Sequence, residues 1–147
     1  MISFKEITRK NLGSILKLSV FDEQKDQVAS NGDSISIGFF NPEYSWLRAI
    51  YNDDEPVGFL GLYLNEEKGK YQIWRLMIDK NHQGKGYGRI SVNLIKEVIK
   101  EMIPKVTEIQ LSYVPKGNRG ADKFYKKLGF EDTGEMWGKE KVMSFKY

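Results

Sequence analysis

Glycine alternates at Gly84, Gly86 and Gly88, between an apolar run and a helical pattern of side chains. Residues without a β-carbon let a phosphate approach the main chain, and the first N–H groups of a helix have no intrahelical partner. Those N–H groups and the positive end of the helix dipole favour an anion. Lys85 and Arg89 add positive charge to the same stretch. The pattern predicts a site for a phosphate-rich ligand, and a diphosphate fits it.

The spacing of this stretch separates it from two common phosphate-binding loops. The dinucleotide fingerprint G-x-G-x-x-G requires glycine at the position of Arg89. A nucleoside triphosphate loop requires Ser or Thr after Gly-Lys, and Gly84-Lys85 is followed by Gly86. The stretch therefore matches neither of these two loops. An ordinary strand-to-helix turn that binds no ligand remains open on these residues alone.

The remaining pattern is Q-x-x-G-x-G, formed by Gln83, Gly86 and Gly88. It resembles the coenzyme A loop of the GCN5-related N-acetyltransferase (GNAT) family, in which loop amides hold the pyrophosphate. The resemblance implies acetyl-coenzyme A as co-substrate. The cofactor-binding residues that it implies are Leu76, Met77, Ile78, Gln83, Gly84, Lys85, Gly86, Tyr87, Gly88, Arg89 and Asn118.

A second stretch, from Asn118 to Phe130, resembles the other half of the same family's signature, N-x-x-A-x-x-x-Y-x-x-x-G-F. Two motifs in the right order are more specific than either alone, and the chain is identified as a member of this family. The resemblance implies that Tyr125 is the general acid that protonates the departing thiolate. A tyrosine that only hydrogen-bonds the sulfur is the alternative, and a non-catalytic acyl-CoA-sensing module is a further reading.

The elements that must position these residues follow from the periodicity of apolar side chains. Tyr71 to Ile78 predicts a largely buried strand, and the pattern after Gly88 predicts a long helix that ends at Pro104. The predicted order is β, α, α, β, β, β, α, β, α, β, β. This order predicts an α/β fold of the mixed α+β kind, with a mostly antiparallel sheet of about seven strands, flanked by about four helices. The resemblance implies that the sheet splays between its fourth and fifth strands.

Local signals add detail to this framework. Asn11 is the predicted cap of a first helix. Polar and turn-forming residues predict a loop from Phe21 to Asn41, with a short helix after Asp33 or Ser34. Gly58 and Gly61 predict a bulge or a close contact in the strand that contains them.

Composition limits the classes of function. The 147 residues predict one N-acetyltransferase domain, 1–147. The absence of cysteine excludes disulfides and a thiolate nucleophile, and a single histidine cannot build a multi-histidine site, so no metal is expected. A net charge of +3 gives no reason to expect nucleic-acid binding. We expect no membrane segment and a cytoplasmic location.

The acceptor is predicted to be a small-molecule amine. Asp22 and Glu23 are the first candidates for binding a cationic amine, and Gln24 and Asn31 join them through a resemblance to the bacterial spermine/spermidine branch. That branch implies spermidine, spermine or putrescine, although a protein with a pI near 8.9 does not attract polycations broadly. An aminoglycoside, an amino acid and a protein N-terminus are alternatives, and a homodimer is one assembly to test. No general base is identifiable, since the central strand carries Arg75 and no glutamate.

Overall fold

The computed structural model describes residues 1–115 and 120–147, so the predicted coenzyme A contact Asn118 lies outside the described residues. The strands form a single sheet in the order β1-β2-β3-β4-β5-β7-β6. The strands are β1 (Ile2–Lys5), β2 (Ser45–Asn52), β3 (Glu55–Asn65), β4 (Lys70–Ile78), β5 (Glu108–Tyr113), β6 (Glu131–Trp137) and β7 (Glu140–Lys146). The helices are α1 (Leu12–Lys17), α2 (Asn31–Phe39), α3 (Tyr87–Met102) and α4 (Ala121–Lys126).

Neighbouring strands are antiparallel except for β4 and β5, which run parallel. The long helix α3 provides the crossover between those two strands, as parallel neighbours require. The registered pair between them is Gln72 and Gln110, and a cavity separates the rest of β4 from β5. The predicted fold class, with its opening between the fourth and fifth strands, is confirmed.

A bulge in β4 bends this strand where it leaves β5. Gly61 lies opposite Arg75, but Leu62 lies opposite Ile73, so Trp74 is an extra residue on β4. The space is tight, because a β-carbon on Gly61 would lie 3.1 Å from the Trp74 ring and one on Gly58 would collide with the Met77 carbonyl. These contacts confirm the irregularity predicted from the two glycines.

The two faces of the sheet are covered by different helices. Helix α3 packs Val92, Ile95 and Ile99, all fully buried, onto the centre of one face. The other face packs around Ile15 of α1, together with Met77 of β4. Burial of these apolar side chains is the main force that holds helices and sheet together. The site residues of β4 therefore stand on a strand that is anchored from both sides.

Two local predictions need correction. The Asn11 side chain does not cap α1, because its Oδ1 accepts from the Thr8 N–H at 2.8 Å and its Nδ2 donates to the Glu6 carbonyl at 2.9 Å. Helix α2 begins earlier than predicted, because the Ser30 hydroxyl accepts from the Asp33 N–H at 3.1 Å and caps it. None of the described helices is long and apolar enough to cross a membrane.

Candidate active site

The glycine loop between β4 and α3 has the backbone geometry that its sequence predicts. Gly84 and Gly86 both have left-handed φ values, +79° and +82°, and Gly86 immediately precedes α3. Apart from the adjoining residues of the chain, no atom lies within 4 Å of a β-carbon built on either residue, so the space beside the main chain is open. Gly88 differs, because its β-carbon would lie 3.4 Å from the Phe124 ring. The first two glycines leave room for a ligand, and the third lets α4 pack against α3.

A cavity of about 440 Å³, here called the cofactor cavity, opens at this loop. Its lining includes most of the cofactor-binding residues predicted from the sequence: Leu76, Met77, Ile78, Gln83, Gly84, Gly86, Tyr87, Gly88 and Arg89. Lys85 is exposed and is not one of the lining residues. His82 and Phe124, which the sequence reasoning did not select, also line it. The structure therefore gathers the strand end, the glycine loop and the first turn of α3 around one opening.

Asp79 fixes the start of the loop. Its carboxylate, on a residue that is 5% exposed, accepts hydrogen bonds from the N–H groups of Ser19 at 2.8 Å and Asn81 at 3.1 Å. Burial opposes ionisation, but these bonds and the neighbouring His82 outweigh it and lower the pKa of Asp79. His82 lies between Asp79, at 3.3 Å, and Glu55, at 3.0 Å. This chain of polar contacts ties the loop to β3 and to the segment after α1.

Gln83 points inward from the loop. Its Nε2 donates to the Ile78 carbonyl and to Oε1 of Gln24, both at 3.0 Å. The bond to Gln24 joins the glycine loop to the segment that connects α1 and α2. In this arrangement the Gln83 side chain acts as a brace between two walls of the site.

A second cavity, of about 610 Å³ and here called the acceptor cavity, lies in the opening between β4 and β5. It is lined by Gln24, Gln27, Val28, Gln72, Ile73, Trp74, Arg75, Leu76, Leu111, Ser112, Tyr113, Val114, Gly120, Ala121, Phe124, Tyr125, Trp137 and Glu140. Several of these residues, including Gln24, Leu76 and Tyr125, also line the cofactor cavity. The two cavities therefore share a wall.

Tyr125 stands on that shared wall. Its ring packs edge-on against Phe124 and Phe130, with ring centroids 5.0 and 5.6 Å away. The residue keeps some exposure, yet burial of the hydroxyl raises its pKa to about 12. The phenol is therefore protonated at neutral pH and enters a reaction as a hydrogen-bond donor.

The acceptor cavity contains one charge of each sign among the described residues that line it. Glu140 lies at the start of β7, and the Ser112 hydroxyl donates to its carboxylate at 3.4 Å. Arg75 is held by the Ser34 hydroxyl, 3.3 Å from its Nε, and its guanidinium lies 4.4 Å from the centre of the Trp74 ring. Burial lowers the pKa of Arg75, and the negative charge of Glu140 partly offsets that effect. Arginine stays charged at neutral pH even so.

Of the four acceptor-binding residues predicted from the sequence, the structure places only Gln24 in the lining of the acceptor cavity. Asp22 and Glu23 are exposed and are not among the lining residues of either cavity, and an ion pair with Lys25 at 2.9 Å lowers the pKa of Asp22. Gln24 lines both cavities. Asn31 is 4% exposed, lines neither of them, and donates to the Ile15 carbonyl at 2.9 Å.

Sequence reasoning missed the acidic residue of the acceptor cavity, Glu140. Its local signal is weak, because it is one charged residue after the turn at Gly138 and Lys139. It reaches the site because β7 lies between β5 and β6, which places Glu140 beside Ser112. Only a prediction of long-range strand pairing could have found it.

A glycine loop at a helix N-terminus, next to a cavity between two splayed strands, is the arrangement expected of an acyltransferase. The acetyltransferase (GNAT) family model matches residues 7–130. The chain therefore belongs to the GNAT acetyltransferase family, and the predicted family and enzyme class, an N-acetyltransferase, are confirmed.

Individual relatives span nearly the whole chain. The spermine/spermidine N(1)-acetyltransferase of Bacillus subtilis strain 168 is 29% identical over an alignment of 153 positions, which covers 97% of this chain and 96% of the relative. The fold matches the spermidine N-acetyltransferase of Vibrio cholerae in complex with CoA and spermine, with a TM-score of 0.76, 17% identity and coverage of 99% and 95%. It also matches the PaiA N-acetyltransferase of Thermoplasma acidophilum in complex with coenzyme A, with a TM-score of 0.73, 16% identity and coverage of 100% and 99%.

Proposed function

We propose that the protein transfers an acetyl group from acetyl-coenzyme A directly to a primary amine of a polyamine or diamine, such as spermidine, spermine or putrescine. The observation that carries this proposal is the position of Tyr125 on the wall shared by the cofactor cavity and the acceptor cavity. A group on that wall can contact a thioester that enters from one side and an amine that enters from the other.

The cofactor cavity fits the diphosphate of coenzyme A. The left-handed glycines leave the main chain open, α3 begins at Tyr87 in the cavity lining so that its first N–H groups can bind an anion, and Arg89 adds a positive charge to the lining. Beyond the pair Gln72 and Gln110, β4 diverges from β5. Backbone groups of Leu76 to Ile78 are then available to hold the pantetheine arm and to donate to the developing oxyanion. Acetyl-coenzyme A supplies the activated acyl group.

The amine must lose a proton before it can attack, because an alkylammonium has a pKa near 10. We assign Glu140 to bind the incoming ammonium and to accept its proton through water. The neutral nitrogen attacks the acetyl carbon, and the carbon–sulfur bond breaks to release the thiolate. The second proton that the nitrogen loses as the amide forms passes to water, and the released thiolate takes a proton from water in turn.

Tyr125 assists the release of the thiolate. With a pKa of about 12, its hydroxyl is more than 3 pH units less acidic than a typical thiol of pKa near 8.5. Complete proton transfer to the sulfur is therefore uphill. We assign Tyr125 to stabilise the thiolate by hydrogen bonding as negative charge develops.

The polyamine acceptor is supported by two independent features. Relatives named as spermine or spermidine acetyltransferases align over 97% of the chain. Glu140 and the aromatic side chains Trp74, Tyr113 and Trp137 also line the acceptor cavity. A carboxylate and aromatic faces both attract ammonium groups.

Arg75 favours a second candidate, an acceptor that carries a carboxylate as well as an amine, such as an amino acid or a peptide N-terminus. A partly buried guanidinium in the acceptor cavity repels a polycation and attracts a carboxylate. The two candidates make opposite predictions for Arg75→Gln. The change should raise kcat/KM for polyamines and lower it for acceptors that carry a carboxylate.

A panel of amines tests the proposal. Thiol release from acetyl-coenzyme A is followed with spermidine, spermine, putrescine, amino acids, an aminoglycoside and a short peptide. We expect saturable release with the polyamines, and at least about a tenfold loss of kcat/KM for them in Glu140→Gln. Background rates with all three polyamines, together with turnover of another amine, would reject the polyamine acceptor and leave the acetyltransferase assignment in place.

A further inference from the structure

A groove of about 570 Å³, here called the acidic groove, crosses the face of the sheet formed by β5, β7 and β6. In the strand register, Ser144 of β7 lies directly between Gln110 of β5 and Glu131 of β6. Residues that are directly opposite in a sheet share one face, so these three side chains form a row across the groove. The lining residues are Glu108, Gln110, Gly129, Glu131, Asp132, Thr133, Glu135, Ser144 and Lys146.

Ser144 is the first sign that the groove binds a ligand. The residue is 7% exposed and lines the groove, and its hydroxyl has no hydrogen-bond partner among the described residues. Buried hydroxyl groups in folded proteins are usually hydrogen-bonded, because an unsatisfied one loses its interactions with water. The oxygen itself is closed to solvent, so an N–H donor of a ligand supplies the missing bond once the Ser144 side chain rotates about its Cα–Cβ bond toward the groove.

The charges of the groove show what kind of ligand it fits. Asp132 is already engaged, since it lies 3.3 Å from Lys126 of α4. The remaining carboxylates of the lining are those of Glu108, Glu131 and Glu135, against one ammonium, that of Lys146. No three His, Asp or Glu side chains within residues 1–115 and 120–147 converge as a metal site. Carboxylates that are spread along a groove match a ligand whose positive charges are also spread.

The acidic groove continues the acceptor cavity along β5. Glu108, Gln110 and Ser112 alternate on one face of that strand, with Glu108 and Gln110 in the groove and Ser112 in the cavity. Gln72, which also lines the cavity, is the strand partner of Gln110. From Ser112 to Glu108 the strand rises about 13 Å. An extended tetra-amine spans such a distance, and a short diamine does not.

We infer that the acidic groove is a binding site for the distal ammonium groups of a long linear polyamine whose reacting amine lies beside Tyr125. Glu108 and Glu131 attract the distal charges, and the Ser144 hydroxyl accepts a hydrogen bond from an ammonium. This inference rests on the proposed polyamine acceptor and deepens it. The groove selects long polyamines over short diamines by binding the part of the molecule that does not react.

Steady-state kinetics with two acceptors tests the inference. The double variant Glu108→Gln/Glu131→Gln should raise KM for spermine roughly five- to tenfold at low salt, with kcat unchanged. KM for putrescine should stay the same, because the short diamine does not reach the groove. The matched control is Glu97→Gln/Glu101→Gln, which removes the same charge from exposed positions on α3 and should change neither KM.

Two kinetic outcomes would overturn the inference. Equal KM values for spermine in wild type and in the double variant would show that the groove does not bind the acceptor. Parallel increases for spermine and putrescine, or the same increase in the α3 control, would show a general charge effect. Ser144→Ala gives a second test, since the fold loses no hydrogen bond among its described residues. A higher KM for spermine alone supports the role of the hydroxyl, and an unchanged KM excludes it.

A binding measurement separates this inference from the proposed function. Spermine is titrated into the isotope-labelled protein, and the backbone amide resonances of β5, β6 and β7 are followed by NMR. Shifts at residues 108–110, 131 and 144 that vanish in the double variant support the groove even if no polyamine is acetylated. The absence of shifts there overturns the groove, even if spermine is turned over.

Discussion

The cofactor cavity and the acceptor cavity are built in different ways. The glycine loop and the lining of the cofactor cavity come mainly from one continuous stretch, 76–89, in which a strand, a turn and a helix start follow one another. The acceptor cavity combines residues of β4, β5, β6, β7, α4 and the segment between α1 and α2. A site made by one stretch is specified by local chemistry, whereas a site made by distant stretches is specified by how the sheet pairs. The lining of the cofactor cavity can therefore be predicted from the sequence, whereas the lining of the acceptor cavity cannot.

Among the variants considered, Tyr125→Phe should reduce activity most, because Tyr125 stands where the two cavities meet. We expect kcat to fall by about 100- to 1,000-fold, because the hydrogen bond to the developing thiolate is lost, with coenzyme A affinity unchanged, since the ring and its packing remain. Because the pKa of Tyr125 is about 12, no loss of wild-type rate from its ionisation should occur below about pH 10. Single-turnover kinetics and a pH–rate profile measure both. A variant with wild-type kcat would exclude any role for the hydroxyl in thiolate release.

Gly86→Val tests the cofactor side alone. A β-branched side chain in a left-handed conformation strains the loop and fills the open space beside the main chain. We expect coenzyme A affinity to fall about 50- to 100-fold in calorimetry, from the loss of one or two charge-assisted hydrogen bonds.

Gly69→Val is the matched control for that change. Gly69 also has a left-handed φ, +61°, and open space around its β-carbon, but it lies in the turn between β3 and β4. The backbone strain is similar, so both variants should lose similar stability, and Gly69→Val should bind coenzyme A normally. Equal coenzyme A affinities in the two variants would contradict the placement of the diphosphate at the glycine loop.

Asp79→Asn tests how firmly the glycine loop is anchored. Asparagine keeps the size but loses the charge that attracts two N–H groups and His82, so the free energy of unfolding should fall by about 2 kcal/mol. Thermal unfolding should shift down by roughly 5 °C. Asp54→Asn, at an exposed position, is the control and should change little.

The pH dependence of this stabilisation has a definite sign. The pKa of Asp79 is lower in the folded protein than its ordinary value of 3.8, so the carboxylate stabilises the fold above that value. The contribution disappears as the pH falls through the lowered pKa. Melts recorded from pH 5 down to pH 2 should show a difference between wild type and Asp79→Asn that narrows toward the acid end. A difference that grows over this range would contradict the assignment.

Gln83→Ala should change the kinetic constants least, and it should weaken the binding of both substrates. The change removes the brace to Gln24 and to the Ile78 carbonyl, each worth about 1 kcal/mol. We expect KM to rise about fivefold for acetyl-coenzyme A and for the amine. An effect confined to acetyl-coenzyme A would mean that Gln83 serves as a direct ligand.

The sequence predicts the order of the strands along the chain, the crossover helix and the loop, because periodicity and glycine spacing are local properties. It cannot predict that Glu140 reaches the acceptor cavity, since that depends on β7 lying between β5 and β6. Asp22 and Glu23 illustrate the opposite case. Their charge draws attention in the sequence, but the chain leaves them exposed outside the two cavities. The bulge in β4 could be predicted in part. Gly58 and Gly61 indicate an irregularity, but they do not indicate that Trp74 is the extra residue.

A crystal structure with coenzyme A and spermine bound would show both substrates against the two cavities. We expect the diphosphate to accept hydrogen bonds from N–H groups between Gly84 and Arg89, and the sulfur to lie within hydrogen-bonding distance of the Tyr125 hydroxyl. We also expect one spermine nitrogen beside Glu140. Coenzyme A bound away from the glycine loop, or a sulfur remote from Tyr125, would show that acetyl transfer does not occur at the wall shared by the two cavities.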